Sequence, residues 1–372
     1  MRILFTNNTL SLRAGTELYV RDVCSELVKR GHQPAAFSCL IGPIAEEIRA
    51  LGVEIVDDLS VLSKAPDVIH AQHRLETLIA AQAFPQTPML HMCHGALPWV
   101  EKVPRVASIA VHGAVDLACK ERVVKDTGVA SDDVRLFPNF VDLGRFRPRK
   151  QLPQRPKRAL VFSNYASEDG QLPAIREACR QTGMKLDLLS GASGPENTLL
   201  EYDVVFAKGR AALEALAVGC SVVLCDRMGS GPLVRRSEIE DLRDWNFGFR
   251  KLTGELLPKL LVDQIGRYDA DDAAACSTFV RENSGLATAV DKLLEAYQAA
   301  AETTLPAKAE IEASILREMH TLRTDMGNQT WKLDPAFPEQ ADFSDGRWRR
   351  KARRIKARFT DLMREFRPPK SS

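Results

Sequence analysis

The chain has 372 residues, of which 45% are hydrophobic and 27% charged, with a formal net charge of +2. That length holds two domains and a sizeable core, and the composition is that of a soluble globular protein rather than a disordered, fibrous or membrane-spanning one. The charge is uneven. Residues 346–372 carry eleven Lys or Arg against Asp361 and Glu365, so residues 1–345 sum to −7, which argues against a nucleic-acid-binding core.

Met1–Thr6 enters a strand-like run with no apolar leader before it. Residues 1–150 then alternate short apolar runs with helical patterns. Strands are expected at Ile3–Thr6, Pro34–Ser38, Val53–Val56, Asp67–His70, Pro88–Cys93 and Ala107–Val111, and helices at Glu17–Arg30 and Ile44–Leu51. Such alternation predicts a doubly wound α/β sheet. Thr77–Val100 is uncharged and long enough to span a bilayer, but Gln, His and three prolines interrupt it, and it is read as non-membrane. The pairs His70/His73 and His91/His94 do not predict a metal site, because three-residue spacing on a strand sends the rings to opposite faces. The eight cysteines are scattered with no CxxC pair, which predicts buried reduced thiols and a cytoplasmic protein.

Residues 147–157, rich in proline and basic residues, predict an exposed linker. A second α/β domain over 157–270 starts with the strand Arg158–Asn164, the helix Gln171–Thr182, the strand Lys185–Ser190 and a turn at Gly191–Asn197. Asp203–Ala207 reads as a buried strand, Arg210–Val218 as a helix stopped by Gly219, and Ser221–Asp226 as a returning strand. This βαβ unit implies a ligand site at the carboxyl ends of its strands. Arg210 sits at the helix N-terminus, where the macrodipole disfavours a cation. Two arrangements resolve that conflict: an anion bound by Lys208, Arg210 and the amides after Gly209, or a solvated Arg210–Glu214 pair on the helix flank. Gly229 and Gly231 predict a glycine loop after Asp226. The loop lacks the third glycine of a dinucleotide fingerprint, so a dehydrogenase is rejected.

Residues 271–302 predict a closing helix and 303–326 a further amphipathic stretch, opening a tail that runs to 372. In its last part Trp348, Ala352, Ile355, Phe359, Leu362 and Phe366 repeat at helical spacing on a basic helix. That pattern suits an anionic membrane surface, giving a peripheral location on the cytoplasmic face. The alternative is a helix docked on the acidic body.

Ala212-Leu-Glu-Ala-Leu-Ala-Val-Gly219 and the strand after it resemble the "LEAMA-x-G-x-PVV" signature of GT-B glycosyltransferases, in particular the glycogen-synthase-like (family 4-like) group. Arg30-Gly31-His32, Pro66–Ala71, His91–Gly95 and Leu136–Pro148 resemble that group's "RGH", "PDVVHAH", "TxHG" and "IPNGVDxxxFxP" segments. The resemblance covers about residues 1–300 and implies two Rossmann-like domains facing a cleft, with the closing helix crossing back to the first. It implies a retaining, metal-independent transferase with no cofactor, using a nucleotide-sugar donor and a glycan, lipid-linked or small-molecule acceptor. Glu214 would hold the donor ribose. Gly15, Thr16, Lys208, Gly209, Arg210, Gly229 and Gly231 would surround its diphosphate and sugar, and His94 would act on the sugar or acceptor. Three departures stand out: Phe140 replaces a glycine, Ser163–Glu168 lacks the usual cations, and Phe206 replaces the first glutamate of the E-x7-E motif. They make a catalytically weakened binding or scaffold subunit the alternative; a nucleotide-sugar epimerase of the same fold is less supported.

Overall fold

A computed structural model describes residues 1–330 other than 192 and 193, with side chains to 325. The basic stripe of 346–372 therefore lies outside the described residues. The first sheet is built from β1 (Arg2–Thr6), α1 (Gly15–Lys29), β2 (Gln33–Phe37), α2 (Pro43–Arg49), β3 (Glu54–Val56), β4 (Val68–Ala71), α3 (Arg74–Ala83), β5 (Met89–Cys93), β6 (Ile109–Ala114), α4 (Leu117–Thr127) and β7 (Val134–Leu136). Its order is β3-β2-β1-β4-β5-β6-β7, with every neighbour parallel. Strands covered on both faces read as continuous apolar runs, as Ile3-Leu4-Phe5 does.

The second sheet uses β8 (Arg158–Phe162), α5 (Leu172–Thr182), β9 (Lys185–Leu189), α6 (Pro195–Thr198), β10 (Val204–Ala207), α7 (Gly209–Val218), β11 (Ser221–Asp226) and β12 (Gly229–Leu233). α8 (Ile239–Asp244), α9 (Pro258–Ile265), α10 (Ala270–Asn283), α11 (Leu286–Ala301) and α12 (Lys308–Thr330) follow. The order is β12-β11-β10-β8-β9, parallel except for the β11–β12 hairpin. Strand order reverses at β1/β4 in one sheet and at β8/β10 in the other. A doubly wound sheet opens a crevice at such a point, beyond the carboxyl ends of the strands.

Two expectations are corrected. Gly229 and Gly231 lie in β12 rather than in a loop. Their backbone packs so closely on residues 251–254 that a Cβ at Gly229 would meet the Leu252 and Gly254 carbonyl oxygens at 2.8 Å, and one at Gly231 the Lys251 oxygen at 2.6 Å. The closing helix is two helices, broken at Ser284-Gly285, where Gly285 is extended and Leu286 N–H donates to the Val141 carbonyl (2.9 Å). α11 then lays Val290, Leu293, Ala296 and Tyr297 into the first sheet's core. Thr77–Val100 divides between α3 and β5, and among the described residues no helix is long and apolar enough to cross a membrane.

Candidate functional site

The β8/β10 reversal point opens on a cavity of about 280 Å³, walled by Arg13–Gly15 and α1 from the first half and by Ser163–Tyr165 and Lys208–Ala211 from the second. The two halves are tied across it by the Asn164 amide, which donates to the Arg13 carbonyl (2.9 Å) and accepts from Gly191 N–H (2.8 Å). Two helices begin at the cavity. α1 starts at Gly15 after an extended Ala14, and α7 at Gly209 after an extended Lys208, neither with a side-chain cap. Their first amides present partial positive charge to the space between them. Gly209 has φ +56, a conformation that favours glycine, and its N–H is used by the Phe247 carbonyl (3.0 Å).

Five cations line the cavity: Arg13, Arg21, Arg145, Lys208 and Arg210. Sequence reasoning found only the last two. Each is paired: Arg13 with Glu47, Arg21 with Asp22 (2.5 Å), Arg145 with Glu196 (3.0 Å), Lys208 with Asp226, and Arg210 with both Asp22 and Glu214 (2.7 Å). The expected Arg210–Glu214 pair therefore exists, but it is buried rather than solvated and is completed by Asp22 from the other half of the chain. The carboxylates resolve the conflict with the helix dipole that the sequence posed. Burial raises the Asp22 pKa, but Arg210 and Arg21 outweigh it and hold the group below its ordinary value. Burial dominates at Glu214, whose pKa is raised despite Arg210. One carboxylate stays charged through its two arginines; its neighbour takes a proton more readily.

Gly15, Lys208, Gly209, Arg210 and Glu214 line one cavity. Thr16, Gly229, Gly231 and His94 do not line it. The Thr16 hydroxyl instead donates to Glu17 (3.1 Å). His94, just after β5, has its ring edge-on to Tyr19 (4.6 Å), and its backbone N–H donates to the Glu101 carboxylate (3.0 Å). Its Nε2 is buried without a hydrogen-bond partner among the described residues, and burial pulls its pKa down to about 4. The ring is neutral at pH 7. Glu101 also pairs with His73 (3.4 Å), whose backbone has φ 60, a strained value for a non-glycine residue. Among the described residues no group of three or more His, Cys, Asp or Glu is placed to hold a metal ion.

Phe140 and Phe206 acquire structural roles. Phe140, 2% exposed, packs on Tyr19 (5.2 Å between centroids), with the Arg210 guanidinium 5.8 Å from its ring centre. Phe206 lies inside β10, its ring in the apolar layer with Val161 and Ile175. Only Lys208 separates β10 from α7, so position 206 faces the core. A glutamate there would cost several kcal/mol in burial rather than restore a cleft ligand.

No family model and no curated protein matches the sequence. The fold does match solved structures. A glycosyltransferase from Rickettsia africae ESF-5 aligns with a TM-score of 0.57 at 14% identity, over 82% of this chain and 99% of that one. The Anabaena protein Alr3699/HepE, in complex with UDP and glucose, aligns with a TM-score of 0.59 at 13% identity, over 80% of this chain and 100% of that one. The chain has the GT-B fold, two Rossmann-like domains facing a cleft.

Proposed function

We propose that this chain is a glycosyltransferase that moves a sugar from a nucleoside-diphosphate sugar to a glycan, lipid-linked or small-molecule acceptor. The observation that carries the reading is the convergence of two uncapped helix N-termini, one from each sheet, on a cavity lined by five cations. A diphosphate bridging α1 and α7 would meet amides from both halves. Arg13, Arg21, Arg145, Lys208 and Arg210 would stabilise the charge that develops as the nucleoside diphosphate departs. The Arg13, Arg21 and Arg145 guanidiniums stand in for the cations missing from 163–168. Glu214, in the lining of the same cavity, would accept from the ribose hydroxyls, and neutral His94, outside that lining, would contact an acceptor that reaches past it to the end of β5. A retaining, metal-independent course agrees with a site built from side-chain cations and amides.

The rival is a binding or scaffold subunit, which the comparisons do not favour; each of the five cleft cations has a carboxylate partner in either case. A donor must exchange those partners, Asp22 above all. Calorimetric titration of the full chain with UDP, GDP, ADP and their glucose conjugates, paired with a transfer assay, separates the two. The Anabaena protein's UDP and glucose make the uridine series the first to try. Wild type should bind at least one diphosphate, and Glu214→Ala should weaken it by about 1–3 kcal/mol while α7 persists. Equal affinity in the folded Glu214→Ala protein would remove Glu214 from the site, and no binding at millimolar ligand would leave the scaffold reading in place.

A further inference from the structure

A second cavity, of about 210 Å³, lies where the chain crosses twice between the two halves. The crossings are stitched together: Val141 N–H donates to the Ser284 carbonyl (2.8 Å) and Leu286 N–H to the Val141 carbonyl (2.9 Å). Phe140 closes the side toward the cleft, and Arg243, Ser284, Gly285, Thr288 and Lys292 supply the polar lining.

The polar lining combines two cations, Arg243 and Lys292, with the Ser284 and Thr288 hydroxyls and the Asn139 and Asn283 amides, and no carboxylate is among the lining residues. The Arg243 side chain is half-buried and, among the described residues, its guanidinium donates to two backbone carbonyls, Asn283 (3.0 Å) and Asn139 (3.4 Å). Among the described residues no carboxylate lies within ion-pair distance of it. Burial pulls its pKa down to about 10, against the opposing pull of Asp244. Ser284 is 3% exposed, and its hydroxyl has no hydrogen-bond partner among the described residues. Gly285 brings no side-chain cap to the 16-residue α11, so the amides of Ala287 and Thr288 are left open at its N-terminus. Lys292, exposed at the rim, stands one turn further along the same helix.

An under-paired guanidinium, an orphaned hydroxyl, a lysine and an open helix N-terminus select one kind of guest: a compact anion with several acceptor oxygens. The other walls are apolar, including Phe137, Phe140, Phe279 and Leu293. Water occupies about 30 Å³ per molecule in the liquid, so the cavity is roomy enough for a phosphate with a small organic group attached. The geometry points to a binding site for a small phosphomonoester, distinct from the nucleotide cleft and built from both halves of the chain. It does not depend on what the cleft transfers.

Phenyl phosphate, which matches both the donor array and the apolar walls, is the probe, with inorganic phosphate and phenol as controls. Isothermal titration of the full-length protein should show saturable binding of phenyl phosphate, weaker binding of phosphate and none of phenol. Arg243→Gln should weaken phenyl phosphate at least tenfold. Ser284→Ala, which deletes a buried hydroxyl with no hydrogen-bond partner among the described residues, and the rim substitution Lys292→Gln should each weaken it severalfold and keep the fold. Lys208→Ala, in the cleft, should leave it unchanged. The assignment is overturned if wild type shows no saturable binding at ten-millimolar probe, or if the folded Ser284→Ala and Lys292→Gln proteins bind as wild type does. Loss of the probe in Lys208→Ala but not in the hinge variants would place it in the cleft and equally overturn the site.

Discussion

Arg210 in the cleft and Arg243 at the crossing lie on either side of Phe140, in opposite electrostatic company. Arg210 holds two buried carboxylates, one from each half of the chain. Arg243 holds two carbonyl oxygens. The difference teaches what each region needs in order to accept an anion. The cleft must exchange partners, because its charges already balance, and a donor competes with Asp22 for the same guanidinium. The crossing needs no such exchange, since among the described residues no carboxylate lies within ion-pair distance of Arg243.

The sharpest way to break this comparison is to delete each arginine and measure urea unfolding. Arg210→Ala strands Glu214 in a buried setting and leaves Asp22 to Arg21, and loss of one partner of such a cluster costs about 3–5 kcal/mol. Arg243→Gln forfeits only bonds to carbonyls and should cost roughly 1–2 kcal/mol. The helix dipole alone would make removal of a cation from this N-terminus harmless; the carboxylates around Arg210 argue the reverse. A loss below about 1 kcal/mol for Arg210→Ala would mean that the cluster is solvated and the contrast false.

Acid sharpens the same distinction, because it separates groups held by partners from groups held by burial alone. His91 has no partner for either ring nitrogen among the described residues, and burial lowers its pKa to about 3; that of His94 falls to about 4. The unfolded chain takes up these protons near pH 6.5 while the folded chain refuses them. Stability therefore falls as pH drops from about 6.5 toward 4, by an amount on the order of a few kcal/mol. Asp22, with its lowered pKa, contributes loss only below its unfolded value of 3.8. Thermal melts across pH 4–7 should show this slope in wild type and a shallower one in His91→Leu. Equal slopes would transfer the acid sensitivity to the charged cleft.

The smallest of these effects tests where the cleft ends. Gly229→Ala drives a methyl against two carbonyl oxygens at a φ of +156 and should destabilise by about 1–3 kcal/mol. Nucleotide affinity should not change in the folded protein. A selective loss of affinity would return β12 to the donor site.

Much of the architecture was legible because parallel strands buried on both faces have a plain signature, and Val204-Val205-Phe206 shows it. β12 was not, because Gly-Ser-Gly-Pro reads as a loop; its strand is imposed by β11 and by the paired bonds between Ser230 and Gly254 (2.8 Å each way). The break at Ser284-Gly285 hid inside continuous helical periodicity, with Gly285 as its one signal. Lys208, Gly209, Arg210 and Glu214 could be found because a strand, a glycine and a helix sit side by side in the sequence. Asp22 could not, since 188 residues separate it from Arg210. Its trace was an Arg-Asp pair on α1 among the buried Tyr19, Val20, Val23 and Cys24.

The helix α11 carries a further consequence. Its Tyr297 hydroxyl bonds to the His70 ring (2.6 Å) across 227 residues, and its apolar face fills a layer of the first sheet's core. The second half is thus an insertion within the first. As the polypeptide leaves the ribosome, the half that starts first finishes last: its sheet waits with an open apolar flank until residue 300 has emerged, by which time the inserted half has every strand it needs.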